Sequence, residues 1–155
     1  MTSAKEIMHT GVACIREHET LTTAAQHMRD LDIGALPVCG DDDRLHGMIT
    51  DRDIVIKCVA AGGDPATTTA GELAQGTLYE VDADANISDM LTIMEAHQVR
   101  RLPVVDGHRL VGIVSEADIA RHLPDHAIAD FVKAICAPAT SGSHPSLTTA
   151  PNQSA

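Results

Sequence analysis

The sequence is poor in aromatic residues and in basic residues. Aromatic side chains make up 1% of the chain, with one Tyr, one Phe and no Trp, while hydrophobic residues reach 44%. The core must therefore be built from aliphatic side chains. There are 22 acidic residues against 11 basic ones, which gives a net charge of −11. The negative electrostatic field of such a chain repels nucleic acid and anionic lipid, so neither is an expected partner.

Long apolar runs are also missing. No stretch approaches the roughly 20 apolar residues of a membrane span. Residues 1–6, Met-Thr-Ser-Ala-Lys-Glu, lack the basic and apolar regions of a secretory signal peptide. The expectation is a cytoplasmic protein that is not inserted in a membrane.

Recognisable catalytic motifs are absent as well. The chain has no Walker loop, no G-x-G-x-x-G after a strand, and no Ser/His/Asp order of a known type. The four cysteines are scattered without a C-x-x-C pair, which argues against a zinc ribbon or a thioredoxin-type site. Cys58 and Cys136 have the positions of helix core residues. The sequence thus predicts a protein that is not an enzyme.

One pattern is present twice, in residues 36–53 and again in residues 102–118. Each copy begins with Leu-Pro-Val and runs through an apolar strand, a polar turn and a second apolar strand. Each then ends in a hydroxyl residue, two further residues and an aspartate: Thr50 to Asp53, and Ser115 to Asp118. The prolines lie 66 residues apart and the aspartates 65, so one residue has been lost in the turn, where loops tolerate it.

The flanking segments repeat at the same spacing. Apolar periodicity, cap residues and breakers predict these pairs of elements: helical turns at 4–8 and 70–74, strands at 12–15 and 78–81, helices after the caps Thr20 and Asn86, and closing helices at 51–61 and 116–123. Pro124 interrupts the second closing helix. A further amphipathic helix carrying Ile128, Phe131, Val132 and Ile135 has no counterpart in the first copy.

The fold class is therefore α/β, of the α+β kind, with two strand–helix–strand–strand–helix units. We assign residues 1–66 to the first unit, 67–123 to the second, 124–137 to a C-terminal helix, and 138–155 to a disordered tail of small and polar residues. A unit of about 60 residues buries little core alone. The two units are expected to pack on each other.

The duplicated pattern resembles the CBS domain, which occurs in tandem as a CBS pair or Bateman module, and the resemblance covers residues 4–123. The whole chain is most similar to the stand-alone hypoxic-response CBS-pair proteins of actinobacteria. The resemblance implies a pseudo-twofold pair that forms a homodimer through its helices. It also implies clefts that hold AMP, ATP or S-adenosylmethionine. Family positions map the ribose contacts onto Thr50, Asp53, Ser115 and Asp118, and the base pocket onto Ile49 and Val114.

Two interpretations of the hydroxyl-x-x-Asp motifs stay open. A carboxylate can accept hydrogen bonds from a ribose diol, and a cation nearby can bind phosphate. The same spacing before an apolar run is a helix capping box. Arg52 and Arg101 are the preferred phosphate partners, with ordinary surface charge as the alternative. Because Arg101 stands where the first copy has Ala35, the two clefts cannot be equivalent.

Histidine and cysteine positions suggest a second line of function. His97 and His122 end helices of the second copy and have no histidine counterpart in the first, so a zinc ion between neighbouring helices, across a dimer, is one hypothesis. Surface histidines are the alternative. In the CBS fold Cys14 and Cys39 lie near adjacent strands, so any disulfide is expected to join them. In a reducing cytosol two free thiols are the alternative.

The leading hypothesis is a regulatory module that senses an adenosyl nucleotide and acts on an unidentified protein partner, with no cofactor required. The second hypothesis is an interaction or structural protein with degenerate clefts and a zinc-binding or disulfide role.

Overall fold

The structure is a computed structural model, and it describes residues 1–74 and 78–137. The predicted disordered tail, residues 138–155, lies outside the described residues. Two three-stranded sheets, one from each copy of the repeated pattern, are surrounded by helices, which confirms the predicted α/β class. Within the described ranges, no helix combines the length and the apolar character needed to cross a bilayer.

The elements of the two repeats follow the same order, except that the first repeat closes with two helices and the second with one. The first repeat contains α1 (Ala4–Ile7), β1 (Ile15–Arg16), α2 (Leu21–Leu31), β2 (Ala35–Cys39), β3 (Leu45–Thr50), α3 (Asp51–Asp53) and a π-helix, π1 (Ile54–Val59). The second contains α4 (Ala70–Leu73), β4 (Val81–Asp82), α5 (Ile87–His97), β5 (Arg101–Asp106), β6 (Arg109–Ser115) and α6 (Glu116–Ala120). Helix α7 (Asp125–Cys136) follows and has no partner in the first repeat.

Each sheet has a parallel strand pair beside an antiparallel one. In the first sheet β2 lies between β1 and β3, and in the second β5 lies between β4 and β6. The first strand of each repeat begins later and is shorter than the sequence predicts. It pairs at only two positions of its neighbour, for example Ile15 with Val38, so the preceding residues form a connection instead.

The predicted caps of the two long helices are confirmed. The side chain of Thr20 accepts a hydrogen bond from the amide of Thr23, and that of Asn86 accepts one from the amide of Asp89. Each bond satisfies a backbone donor that has no partner inside the helix. The sequence signal and the structure therefore agree at both helix starts.

The closing helices differ from the regular helices that apolar spacing predicts. After one turn in α3 the chain widens into π1, where the amide of Ala60 donates to the carbonyl of Val55, five residues back. Helix α6 ends at Ala120, and the backbone turns more tightly over the next residues. Pro124, which has no amide hydrogen to donate, then precedes α7 as its N-cap. Side-chain spacing predicts a helix but does not distinguish a five-residue from a four-residue bond pattern.

The two repeats exchange their first helices. Ala4 of α1 is completely buried in the core formed by β4, α5, β5 and β6 of the second repeat. Ala70 of α4 is completely buried in the core of the first repeat. Backbone bonds fix both crossings: the amide of Ala4 donates to the carbonyl of Ala85, and the amide of Ala70 donates to the carbonyl of Glu19. Neither repeat completes its core without the other, so the expected packing of the two units is confirmed.

A smaller apolar cluster joins the two sheets. It contains Cys39 and Leu45 from the first repeat and Val105 from the second. Cys39 also forms a disulfide with Cys14, with a Cα–Cα distance of 5.9 Å and a sequence separation of 25. The bridge that the resemblance implied is thus present, and it ties the connection before β1 to the central strand of the first sheet.

Helix α7 covers the second core with part of the face that its spacing predicts. Phe131 and Ile135 are buried, whereas Val132 is 44% exposed. Cys58 is buried, as expected, but the expectation for Cys136 is wrong. It is the last residue of α7 and lies four residues after the exposed Val132, on the face of the helix that points away from the core, and the Arg100 guanidinium donates to its sulfur at 3.4 Å.

Replacing Phe131 tests how much α7 contributes to the second core. Phe131→Ala should lower the free energy of unfolding by about 3–5 kcal/mol, because it removes a large side chain that is 1% exposed and leaves a cavity. The neighbouring change Val132→Ala should stay within about 0.5 kcal/mol of the wild type. Urea unfolding followed by circular dichroism measures both. Equal effects would contradict the packing described.

Candidate functional site between the two repeats

A cleft of about 820 Å³ opens between the two repeats. One wall of the cleft is formed by the first repeat. The other is formed by the second repeat, including the segment after α4, which crosses to the first. The lining includes Gly34 and Ala35 at the start of β2, Met48 and Thr50 of β3, Ala74 after α4, Leu78 and Tyr79 before β4, and Gln98 to Arg101 between α5 and β5. The volume is that of a small-molecule site.

The charge of this cleft is opposite to that of the whole chain. Arg52, Lys57, Arg100 and Arg101 line it, and Asp51 is the one acidic residue that does so within the described residues. The chain as a whole carries a net charge of −11. Four cations collected against that background favour an anionic ligand, since a cleft focuses the field of the charges that line it.

Three of these cations are not neutralised by an acidic group. Lys57 pairs with Asp53 at 3.0 Å. Across residues 1–74 and 78–137, the guanidinium groups of Arg52, Arg100 and Arg101 have no carboxylate within salt-bridge distance. The structure therefore brings the predicted residues Thr50 and Arg52 of the first repeat and Arg101 of the second to one cleft.

The motif Thr50 to Asp53 forms a complete capping box in the structure. The amide of Thr50 donates to the Asp53 carboxylate at 3.0 Å, and the amide of Asp53 donates to the Thr50 hydroxyl at 3.0 Å. Burial raises the pKa of Asp53, but hydrogen bonds from Lys57 and Thr50 outweigh it and hold the pKa below its ordinary value. The carboxylate stays ionised and the hydroxyl stays at the edge of the cleft.

In the motif Ser115 to Asp118 the carboxylate accepts more hydrogen bonds from side chains than Asp53 does. Asp118 is 2% exposed, and its carboxylate accepts from the Ser115 amide at 2.8 Å and the Ser115 hydroxyl at 2.7 Å. Its second oxygen accepts from Arg121 at 2.9 Å and from the His9 imidazole at 2.9 Å. Burial raises the pKa of Asp118, but the bonds from Ser115 and His9 outweigh it and lower the pKa overall.

The contact between His9 and Asp118 could not be predicted from the sequence. His9 precedes Asp118 by 109 residues and lies in a segment with no histidine motif. Only the crossing of α1 to the second repeat brings them together, through paired backbone bonds between His9 and Ile113. No local sequence signal predicts that contact.

The proposed base-pocket residues lie elsewhere. Ile49 and Val114 are completely buried in the two hydrophobic cores and do not line the cleft. Side chains alternate along a strand, so the neighbours of Ile49, Met48 and Thr50, face the cleft instead. A direct contact of Ile49 or Val114 with a base stays a prediction that the placement does not favour.

The two predicted zinc ligands, His97 and His122, contact different groups of the protein. His97 stacks on Tyr79 with ring centroids 3.8 Å apart, and Tyr79 itself lines the cleft. His122 donates from Nδ1 to the carbonyl of Asp118 at 2.8 Å. No group of three or more His, Cys, Asp or Glu side chains in the part of the chain that the structure describes is arranged to hold a metal ion.

Comparison with known proteins identifies the class of this molecule. The family model of the CBS domain matches residues 4–59 and 70–125. Hypoxic response protein 1 of Mycobacterium tuberculosis is 71% identical over 138 residues, 89% of this chain and 96% of the relative. The chain belongs to the CBS domain family, and its two repeats form a CBS pair.

Solved structures agree with this assignment. The crystal structure of Hypoxic Response Protein I with two coordinated zinc ions has a TM-score of 0.75 and 71% identity, and the match covers 79% of this chain and 100% of that one. CBSX2 in complex with AMP has a TM-score of 0.68 at 20% identity, covering 79% of this chain and 96% of that one. The second likeness shows the fold alone.

The buried Asp118 carboxylate should make stability depend on pH in the acid range. A carboxyl whose folded pKa is depressed contributes stability above its unfolded pKa of about 3.9 and loses it as pH falls through the lower folded value. Asp118→Asn should lower the free energy of unfolding by about 1–3 kcal/mol at pH 7. The difference from the wild type should shrink as the pH falls below about 4.

Urea unfolding at pH 7, 5, 4 and 3 measures this difference. Asp125→Asn is the matched control, because Asp125 is exposed on α7 and its carboxylate has no hydrogen-bond partner among the described residues. It should change stability by less than about 0.5 kcal/mol. A pH-independent difference for Asp118→Asn would contradict the assignment.

Proposed function

We propose that this CBS pair is a regulatory module that binds an adenosyl nucleotide in the cleft between its repeats. The single observation that carries the proposal is the set of four cations, three of them without an acidic partner among the described residues, beside the Thr50 hydroxyl. The proposal treats the protein as regulatory and not catalytic. Binding would change how the repeats pack and so the surface that meets a protein partner, still unidentified.

The chemistry of the cleft matches the parts of such a ligand. Arg52 and Arg101 supply guanidinium groups, which bind phosphate oxygens in a bidentate way. Thr50 supplies a hydroxyl for the ribose, and Tyr79 with Met48 and Pro103 supplies apolar surface for a base. Ligands with more phosphate charge are favoured, so ATP and ADP should bind more tightly than the cationic S-adenosylmethionine.

This assignment rests on the cleft itself. The AMP-bound relative is too distant to carry more than the fold. A cytoplasmic location, which the sequence predicts, belongs to the same proposal, because nucleotides are then available to the cleft.

Removing one unpaired cation should weaken nucleotide binding. Arg101→Ala removes a charge-assisted bond of roughly 1.5–3 kcal/mol, so affinity for ATP should fall about tenfold or more. The control Arg29→Ala makes the same change of charge at an exposed position of α2, where Arg29 bonds Asp30 and does not line the cleft. It should leave affinity within about twofold. Isothermal titration calorimetry at fixed salt measures both.

Two outcomes would contradict the nucleotide proposal. One is the absence of binding by AMP, ADP, ATP and S-adenosylmethionine to the folded wild type. The other is an equal loss of affinity in both variants, which would indicate attraction to overall charge and no defined site.

A second candidate function is a zinc-linked homodimer, favoured by one observation. Hypoxic Response Protein I, at 71% identity, was crystallised with two coordinated zinc ions. His122 fits a ligand role, because a carbonyl holds its Nδ1 and orients Nε2 outward, as for histidines that bind metals. Zinc needs four ligands, and the described residues of one chain gather fewer than three, so a second copy would supply the rest.

The surface of π1 supports a second copy as partner. Val55, Ile56 and Val59 are 54%, 51% and 55% exposed, which is unusual for three apolar side chains on one short helix. Burying them against another chain would remove this apolar surface from water. We propose a homodimer, in agreement with the resemblance, with His97 and His122 as the zinc ligands.

Metal content tests the second candidate. After dialysis the wild type should retain stoichiometric zinc, and His97→Ala/His122→Ala should lose it, because both imidazoles would be ligands. His18→Ala, a change of an exposed histidine on the first repeat, is the control and should keep the metal. Mass spectrometry of the metal and sedimentation velocity of the same samples give the readouts. A metal-free wild type, or zinc retained by the double variant, would contradict this candidate.

A further inference from the structure

The connection between α5 and β5 contacts both the cleft and the end of α7. Residues 98–101 all line the cleft. The side-chain amide of Gln98 donates to the carbonyl of Ala137 at 2.8 Å, and the Arg100 guanidinium donates to the sulfur of Cys136 at 3.4 Å. Cys136 is the last residue of α7, and Ala137 is its C-cap. We call these two hydrogen bonds the α7 contacts.

The α7 contacts belong to the second repeat alone. With the two copies aligned at their offset of 66 residues, Gln98 corresponds to Asp32 and Arg100 to Gly34. The structure agrees with this alignment, because Asp32 and Gln98 are both helix C-caps with a positive φ, 53° and 52°. The first repeat has no counterpart of α7 and has a glycine where Arg100 stands in the second. The long side chain therefore occurs in the repeat that has a helix for it to contact.

The α7 contacts satisfy polar groups at the end of this helix. The last carbonyl groups of a helix have no partner inside it, and Gln98 supplies one for the carbonyl of Ala137. A guanidinium at this end is favourable, because the C-terminus of a helix carries partial negative charge. The body of α7 is held separately by Phe131 and Ile135, which are buried in the second core. Loss of the α7 contacts should therefore loosen the last turn and leave the helix in place.

An anion in the cleft competes with Cys136 for Arg100. A thiol sulfur is a weak hydrogen-bond acceptor. Phosphate oxygens form charge-assisted bonds with a guanidinium, often two at once, and these are stronger. Within the described ranges no carboxylate pairs with Arg100, so an ion pair does not hold it at its present position. Phosphate is thus the preferred acceptor.

We propose that Arg100 and Gln98 couple the cleft to α7, so that an anion bound in the cleft draws Arg100 away from Cys136 and loosens the last turn of the helix. The exposed face of this turn, which carries Val132 and Cys136, is then the surface on which a protein partner distinguishes occupied from empty protein. This inference rests on the proposed function for its ligand, and it assigns the change of surface to one helix end.

Coupling between two sites is reciprocal, so weakening the α7 contacts should strengthen nucleotide binding. Cys136→Ala removes the acceptor that competes for Arg100, and it should raise the affinity for ATP roughly two- to fivefold, because one weak hydrogen bond no longer has to be broken. Val132→Ala is the matched control, since it shortens an exposed α7 side chain that makes no hydrogen bond. It should leave the affinity unchanged. Isothermal titration calorimetry of the full chain measures both, and equal affinities of all three proteins would overturn the coupling.

Amide hydrogen exchange locates the effect in the chain. Saturating ATP should raise exchange at residues 133–137 several-fold and leave residues 127–131 unchanged. Gln98→Gly should raise exchange at the same residues without a ligand, because it removes the bond to Ala137. Glycine suits the left-handed backbone at this position, so the variant keeps the helix cap and the fold.

The coupling and the nucleotide proposal fail in different ways. ATP that binds without changing exchange at residues 133–137 overturns the coupling and leaves the nucleotide proposal standing. If the wild type binds no ATP, the nucleotide proposal is contradicted, and sodium pyrophosphate becomes the probe, because it presents phosphate charge without a nucleoside. Raised exchange at residues 133–137 with pyrophosphate then supports the coupling, and no response to it overturns the coupling.

Discussion

The structure depends on the exchange of one short helix between two repeats. Ala4 and Ala70 are completely buried in the core of the opposite repeat, and each crossing chain lies against a strand glycine. At Gly47 a Cβ atom would lie 2.8 Å from the Ala74 carbonyl, so a side chain there would push the crossing segment away. Close backbone approach, and not side-chain size, joins the two halves. The cleft exists because the repeats are held in this arrangement.

Two copies of one pattern have become two different sites through few changes. The strands, motifs and capping boxes are the same in both repeats, so stability requires both copies to keep them. The residues around the motifs carry the difference: Ala74 lies against Gly47 in the first repeat, whereas Met8 and His9 lie against Gly112 in the second. The hydroxyl and aspartate at each motif serve first as caps, and the surrounding residues decide whether a ligand can reach them.

Much of the fold could be predicted from local sequence. The repeat, the caps Thr20 and Asn86 and the strand pairs follow from spacing and residue type, which act over a few residues. The π-helix could not, because its bond pattern leaves no mark in apolar spacing. Exposure of Val132 and Cys136 depends on which face of α7 packs against the core, and that is set by the tertiary structure.

The residues of the candidate site could also be predicted only in part. Thr50, Arg52 and Arg101 could be proposed because each stands beside a recognisable motif or at a difference between the copies. Whether Ile49 faced core or cleft required the strand register, and the bond between His9 and Asp118 required the helix exchange. Contacts between distant segments are the part that one sequence does not reveal.

The most direct test of a single anion-binding cleft is an NMR titration of the amide resonances with ATP. The account predicts saturable shifts at Thr50, Arg52, Arg100 and Arg101, with the amides of Ser115 and Asp118 unmoved. Equal shifts at both motifs, or none at either, would contradict it.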